Sequence, residues 1–227
     1  MGWLHYIREA LDSHPARIIE PGVRAHAAVA MILEDQPEGP RVLFIERSAN
    51  ANDYWSGQIC FPGGRAESCD TSPRRTAERE TCEELGLDLA TAHYVGRLND
   101  ISPGSLKIVV SCFVYVVTQH PLLSPDDREV ADAFWVPVRE FNNPARRAHV
   151  DVPVRGRLRR FPALRLGKEQ PLWGITYRLL RNLHKVMKSS VDPDRRSVVA
   201  GHGAAVSRND RSTSLPDTVR SGHPAKS

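Results

Sequence analysis

The order and periodicity of the apolar segments predict an α/β fold, a mixed β-sheet with helices on both faces. Three observations carry this. Apolar runs of strand length fall at 25–33, 41–46, 107–118 and 130–138, with polar or turn-forming residues between them. Segments 3–11 and 171–187 instead show helical spacing of apolar residues. A third helix, between the second and third runs, is bracketed by start and stop signals at Ser72 and Gly86.

Taken in order, Trp3, Leu4, Ile7, Ala10 and Leu11 predict an amphipathic helix, and its polar side carries Arg8, Glu9 and Asp12 instead of a lysine stripe. Such a helix is expected to pack on the body, within an N-terminal region 1–24, and not to lie on a membrane. Pro15 and Pro21 break the pattern before the first strand, 25–33. His26 at its entrance is read as structural. Residues 37–40 turn the chain into the second strand, 41–46, and residues 48–56 form a polar loop ending in Tyr54 and Trp55. Those aromatics would either stack on a ligand or cover the edge of the core. Ile59, Cys60 and Phe61 form a short strand ahead of a Pro-Gly-Gly turn, where Gly63 and Gly64 allow close backbone approach to a ligand.

The helix over 72–85 follows, with Ser72 as N-cap, Pro73 at the first helical position and Gly86 as stop. Segments 93–100 and 107–118 (KIVVSCFVYVVT) are strands, the second apolar and long enough to be central. Glu129 follows an acidic turn, Asp126-Asp127, and leads into the run at 130–138. Alternation in VDVPVRGRLRRFPAL, within 146–168, suggests one or two edge strands, and 171–187 is a closing helix burying Leu172, Ile175, Leu179, Leu183 and Val186. The main domain thus spans 25–187, and from Lys188 to Ser227, where aromatics vanish, the composition is that of a disordered tail.

Net charge is +4, but it is segregated: residues 1–145 carry 13 Lys and Arg against 21 Asp and Glu, and residues 146–168 carry 8 against 1. A globally basic protein coating nucleic acid is a poor description of an acidic body with one basic segment. No apolar run approaches the roughly 20 residues of a membrane span, and no secretory leader is evident. Cys60, Cys69, Cys82 and Cys112 lack metal-binding spacing and are read as reduced thiols of a cytoplasmic protein.

Glu80, Glu83 and Glu84 stand in the last two turns of the 72–85 helix. There the helix dipole disfavours anions by roughly 0.3–1 kcal/mol each, and like charges three and four residues apart cost about 0.2–0.5 kcal/mol per pair. The spacing places them on one face, apart from Ala77, Thr81 and Leu85, which can pack on the sheet. Arg79 can pair with Glu83, yet one arginine does not neutralise three glutamates. A divalent cation, Mg²⁺ or Mn²⁺, would; Mg²⁺ is usually held by one or two carboxylates together with water and substrate phosphate.

The stretch GGRAESCD followed by RETCEELGL resembles the Nudix box: a glycine, a carboxylate six residues later, then Arg-Glu-x-x-Glu-Glu-x-Gly and an apolar residue. Asp70 stands where that family usually has glutamate, and eight residues separate it from Arg79 in place of seven. This insertion, the preceding GQICFPGG and the upstream LFIERS (43–48), which contains Arg47, resemble the coenzyme A diphosphatase branch, although Ile45 replaces that branch's threonine and Asn52 stands near an expected arginine.

The resemblance implies an α/β/α sandwich and a metal-dependent pyrophosphohydrolase. Glu80 and Glu84 would be direct metal ligands, the Gly64 carbonyl an additional one, and Glu83 would hold a further ion or its waters. Arg79 would orient the carboxylates, Glu67 or Asp70 would tie the loop to the helix, and Glu129 is the candidate further carboxylate. Arg47, Trp55, Gly63 and Gly64 are the expected substrate-binding positions, and the arginines of 146–168 would either clamp phosphate or stand in solvent. The expected partner is a small-molecule pyrophosphate, coenzyme A first, then ADP-ribose, NADH, dinucleoside polyphosphates or oxidised nucleoside triphosphates, with room for an oligomer. A Nudix-fold module that binds nucleotide or RNA without cleaving it is the reading from another class.

Overall fold

The computed structural model describes residues 3–22, 24–49, 56–104, 106–154 and 156–191. Trp55 and its neighbour Tyr54, and the expected tail from residue 192 onward, lie outside the described residues.

The elements run α1 (Trp3–Asp12), β1 (Ala25–Glu34), β2 (Arg41–Arg47), β3 (Ile59–Cys60), β4 (Gly63–Arg65), α2 (Pro73–Leu85), β5 (His93–Arg97), β6 (Ile108–Val117), β7 (Val130–Pro137), β8 (Arg147–Val154), β9 (Arg157–Leu164) and α3 (Gly174–Val191). Strand β6 is central, as its unbroken apolar run predicts: it pairs parallel with β1 along ten positions and antiparallel with β5. The parallel pair gives the sheet its mixed character. One edge of β1 is shared between two partners, β2 opposite Leu33–Glu34 and β4 opposite Ala27–Val29. Beyond this branch β2 continues into pairing with β3 and β7.

Alternation along β1 sorts the core into two layers. Met31 and Leu33 join Ile7, Leu11, Leu179 and Leu183 from α1 and α3. Ala28, Ala30 and Ile32 join Ala77 and Leu85 from α2. Helices therefore cover both faces of the mixed sheet.

Several boundaries differ from the sequence reading for identifiable reasons. The expected Pro-Gly-Gly turn is confined to Phe61-Pro62, because Gly63, at φ 143°, lets the chain rejoin the sheet at once as β4. Segment 146–168 does not supply edge strands to the main sheet; β8 and β9 pair with each other as a separate two-stranded hairpin. Leu172 is held extended by a bridge to Leu164, so α3 starts at Gly174 and not at Pro171, and it continues past Met187 to Val191, with Lys188 favourably placed in its last turn. Ile175 is only partly buried, whereas Leu180 takes a core position. His26 is tied into the sheet through Ser111 Oγ, 3.0 Å from its Nε2.

Candidate active site

Helix α2 is built at both ends as its sequence requires. The Ser72 hydroxyl accepts from the Arg75 N–H, and Gly86, left-handed at φ 64°, donates its N–H to the Cys82 carbonyl. Past this cap, residues 124–129 fold back over the helix end. The Ser124 N–H donates to the Leu85 carbonyl at 2.8 Å and the Asp126 N–H to the Glu84 carbonyl at 3.0 Å. Two otherwise orphan carbonyls are thereby satisfied. The loop is also what brings Glu129, far away in sequence, within electrostatic reach of α2.

The carboxylates of α2 do not share one environment, which corrects the single-face reading. Successive residues are turned by about 100°, so Glu83 and Glu84 diverge. Glu84 lies on the buried face with Ala77, Thr81 and Leu85 and is 1% exposed. Its Oε2 accepts from the Gly63 N–H at 2.8 Å, and its Oε1 lies 3.7 Å from a guanidinium nitrogen of Arg47. Burial pushes the Glu84 carboxyl up to about 8, opposed by the Gly63 hydrogen bond and Arg47 and reinforced by Glu80 and Glu129. Glu80 is also raised, first by burial, with Glu83 and Glu129 adding to it and Arg79 opposing. Glu83, with its side chain 57% exposed, pairs instead with Arg79 at 2.7 Å.

Arg79 is the hub of the loop. It binds Asp70 through two nitrogens, each at 3.1 Å, and donates to Glu80 at 3.0 Å and to the Arg65 carbonyl at 3.1 Å. Of the two loop acids considered from sequence, Asp70 is therefore the tie. It also accepts from Thr76 Oγ1 at 3.0 Å and the Glu67 N–H at 2.9 Å. The Arg79 bonds come first among the causes that hold the Asp70 carboxyl down at about 2. A carboxyl so depressed stabilises the fold fully above its ordinary value near 4 and loses that contribution as pH falls toward 2. Urea midpoints measured at pH 5 and pH 2.5 should consequently differ less in Asp70→Asn than in the parent chain; an unchanged difference would remove Asp70 from the acid limb.

The two glycines have distinct roles. A Cβ on Gly63 would sit against the Ala28 carbonyl and 2.6 Å from Val29 Cα, so its bareness serves the strand contact and not a ligand. A Cβ on Gly64 would occupy the space of the Glu80 carboxylate. Arg47 sits at a register shift between β2 and β7, the kind of bulge that re-aims a side chain. The structure thus brings Arg47, Gly63, Gly64, Arg79, Glu80, Glu84 and Glu129 into one region at the β1–β2–β4 branch, while Glu83 faces solvent. Sequence reasoning missed that Glu84 is buried; its place one position before Leu85 on the Ala77–Thr81 side of the helix was the available signal.

Among the described residues no three His, Cys, Asp or Glu side chains already converge as a metal cage. The donor set nevertheless fits a cation: a desolvated carboxylate, a half-buried one seated on Gly64, and mutual repulsion that positive charge would relieve. None of the helices among the described residues is long and apolar enough to cross a membrane.

A mixed sheet between helical layers, with paired carboxylates at the C-terminal end of a capped helix beneath a double glycine, defines the class. The NUDIX domain model matches residues 24–155, and the chain belongs to the Nudix hydrolase family. It is 31% identical over 158 residues to an uncharacterized Nudix hydrolase, NudL, of Yersinia enterocolitica, covering 70% of this chain and 79% of that protein. An uncharacterized protein of Schizosaccharomyces pombe is 35% identical over 120 residues, 50% of this chain and 36% of that protein, so the chain matches only about a third of that relative's length. Among solved structures, a MutT/Nudix family protein from Enterococcus faecalis aligns with TM-score 0.49 at 14% identity, covering 88% of this chain and 75% of that one.

Proposed function

We propose that this chain is a divalent-metal-dependent pyrophosphohydrolase acting on a nucleoside diphosphate linked to another moiety, with coenzyme A or an acyl-CoA as first substrate, giving 3′,5′-ADP and 4′-phosphopantetheine. The observation that carries the reading is Glu84, a carboxylate 1% exposed in a region shared with Glu80 and Glu129. Burying an anion among anions is costly unless a cation completes the site.

Glu80, Glu84 and the Gly64 carbonyl would hold the ion. Bound there, Mg²⁺ or Mn²⁺ would neutralise phosphate oxygens, align an in-line displacement and supply hydroxide near neutral pH. Arg79 keeps the Glu80 carboxylate aimed while occupying Glu83 and Asp70. Glu129, on the opposing loop and close enough for its charge to act on Glu80 and Glu84, would accept a proton from attacking water. Arg47 offers a guanidinium fork suited to a phosphate oxygen beside Glu84.

Support for coenzyme A comes from the Asp70 spacing, GQICFPGG and LFIERS. Lys168 of the basic segment pairs with Asp132 and, at 3.4 Å, with Glu46, next to Arg47, so a 3′-phosphate would compete with these carboxylates for it. A screen of pyrophosphates with product identification tests both levels. Hydrolysis should require Mg²⁺ or Mn²⁺ and stop with chelator, and coenzyme A should exceed dephospho-coenzyme A at least tenfold in kcat/KM. Equal rates on the two would replace coenzyme A by ADP-ribose, NADH, a dinucleoside polyphosphate or an oxidised nucleoside triphosphate. No metal-dependent product from any of them, with tight binding retained, would make the chain a binding module.

A further inference from the structure

A second concavity lies on the other face of the sheet, in the layer covered by α1 and α3 and not by α2. It holds about 350 Å³, within the range of small-molecule sites, and runs from the 38–40 turn and residues 137–142 to α3. Pro40 and Pro137 mark its floor at one end of β2 and β7, and Arg47 and Val130 mark the carboxylate site at the other. The six residue steps of β2 from Arg41 to Arg47 alone separate the two by about 20 Å. A substrate phosphate bound among the carboxylates does not reach it.

Its walls are apolar: Val138, Phe141, Leu180 and Met187 line it, with Trp3 and Tyr177. The Tyr6 hydroxyl donates to the Met187 carbonyl at 2.6 Å, clamping α1 to α3. Apart from Asn142 and the Tyr177 hydroxyl, the polar side chains of the lining are ionisable groups, most of them cationic, so the body of a ligand would be held by burial against the apolar wall.

The rim is cationic. Arg181, His184 and Lys188 recur at i, i+3 and i+7 along α3, and Arg147 joins them from β8. Arg147, Arg181 and Lys188 form no ion pair with a carboxylate among the described residues. Arg139 also lines the cleft and donates to the Glu38 carbonyl at 3.4 Å. Glu38 is the single carboxylate among these lining residues. Burial and then the charges of Lys188 and Arg181 hold the His184 imidazole below its usual value, which shows the sign of the local field. Residues 192–227 are a poor occupant by charge, with six Lys and Arg against four Asp and Glu.

We propose that this cleft binds an amphiphilic anion, an alkyl chain ending in one anionic head group, with the chain against Phe141, Leu180 and Met187 and the head at Arg147, Arg181 and Lys188. The inference is independent of the hydrolase reading, because its readout is binding.

Titration calorimetry of the full chain with dodecanoate, below its micellar concentration, is the test, with dodecyl phosphate and dodecanol as parallel arms. Saturable one-to-one binding of dodecanoate is expected, at least tenfold tighter than dodecanol and weakened by salt. Tighter binding of dodecyl phosphate than of dodecanoate would assign the head group to a phosphate. The double variant Arg181→Gln, Lys188→Gln removes two exposed charges without placing an anion in the last turn of α3; it should keep its cooperative unfolding and lose at least tenfold in dodecanoate affinity. Absence of saturable binding, equal affinity for dodecanol, or an unchanged affinity in the double variant would each overturn the proposal.

Discussion

Glu84→Gln should lower kcat by at least about a hundredfold, equivalent to ~2.7 kcal/mol of transition-state stabilisation, while leaving substrate binding within a few fold. Glutamine matches the shape of glutamate, and its amide oxygen can still accept the Gly63 N–H that now meets Glu84 Oε2 at 2.8 Å. The fold should not suffer, because the substitution removes a desolvated acid whose charged form burial already opposes. What disappears is the second carboxylate of the Glu80–Glu84 pair. Steady-state kinetics with metal titration separates the effects: kcat falls, the metal requirement shifts to higher concentration, and the substrate Kd holds. A variant with near-normal turnover would remove Glu84 from the proposed role and leave its burial without a functional account.

The two adjacent glycines should respond to the same substitution in different ways. Gly63→Ala puts a Cβ onto the Ala28 carbonyl and within 2.6 Å of Val29 Cα, at a φ of 143° that an L side chain rarely adopts. Neither neighbour can retreat, since both belong to β1, which pairs with β6 along its whole length. A loss on the order of 3–5 kcal/mol is expected, read as a lower urea midpoint or as insoluble protein. Gly64→Ala collides only with the end of the Glu80 side chain, which can swing away. Its stability should therefore stay within ~1 kcal/mol of the parent, while activity falls at least tenfold, because Glu80 is displaced from its seat between Gly64 and Arg79. Equal stability losses in the two variants would contradict the division of labour between strand contact and carboxylate seat.

Gly63 and Gly64, expected in a turn and found in strand β4, mark where sequence patterns stop. Ser72, Pro73 and Gly86 marked both ends of α2, because capping is a local matter of side chain, φ and neighbouring N–H groups. The apolar run of β6 announced a central strand for an equally local reason. The Gly63–Gly64 segment gave no such notice of β4, since a three-residue strand is stabilised by its partner, here β1, and hardly by its own composition. The hairpin β8–β9 was legible as alternation, but alternation does not say which sheet a strand will join.

By itself the sequence determined the class of the fold and the helix that carries the acidic residues, because periodicity, caps and an unfavourable cluster of like charge are written in neighbouring residues. Only the tertiary structure decided which acids matter to one another. It buried Glu84, turned Glu83 to solvent, chose Asp70 as the partner of Arg79, and folded the 124–129 loop over the helix end so that the charge of Glu129 acts on the pair. Electrostatic energy depends on distance and desolvation through space, and neither quantity is a property of sequence separation.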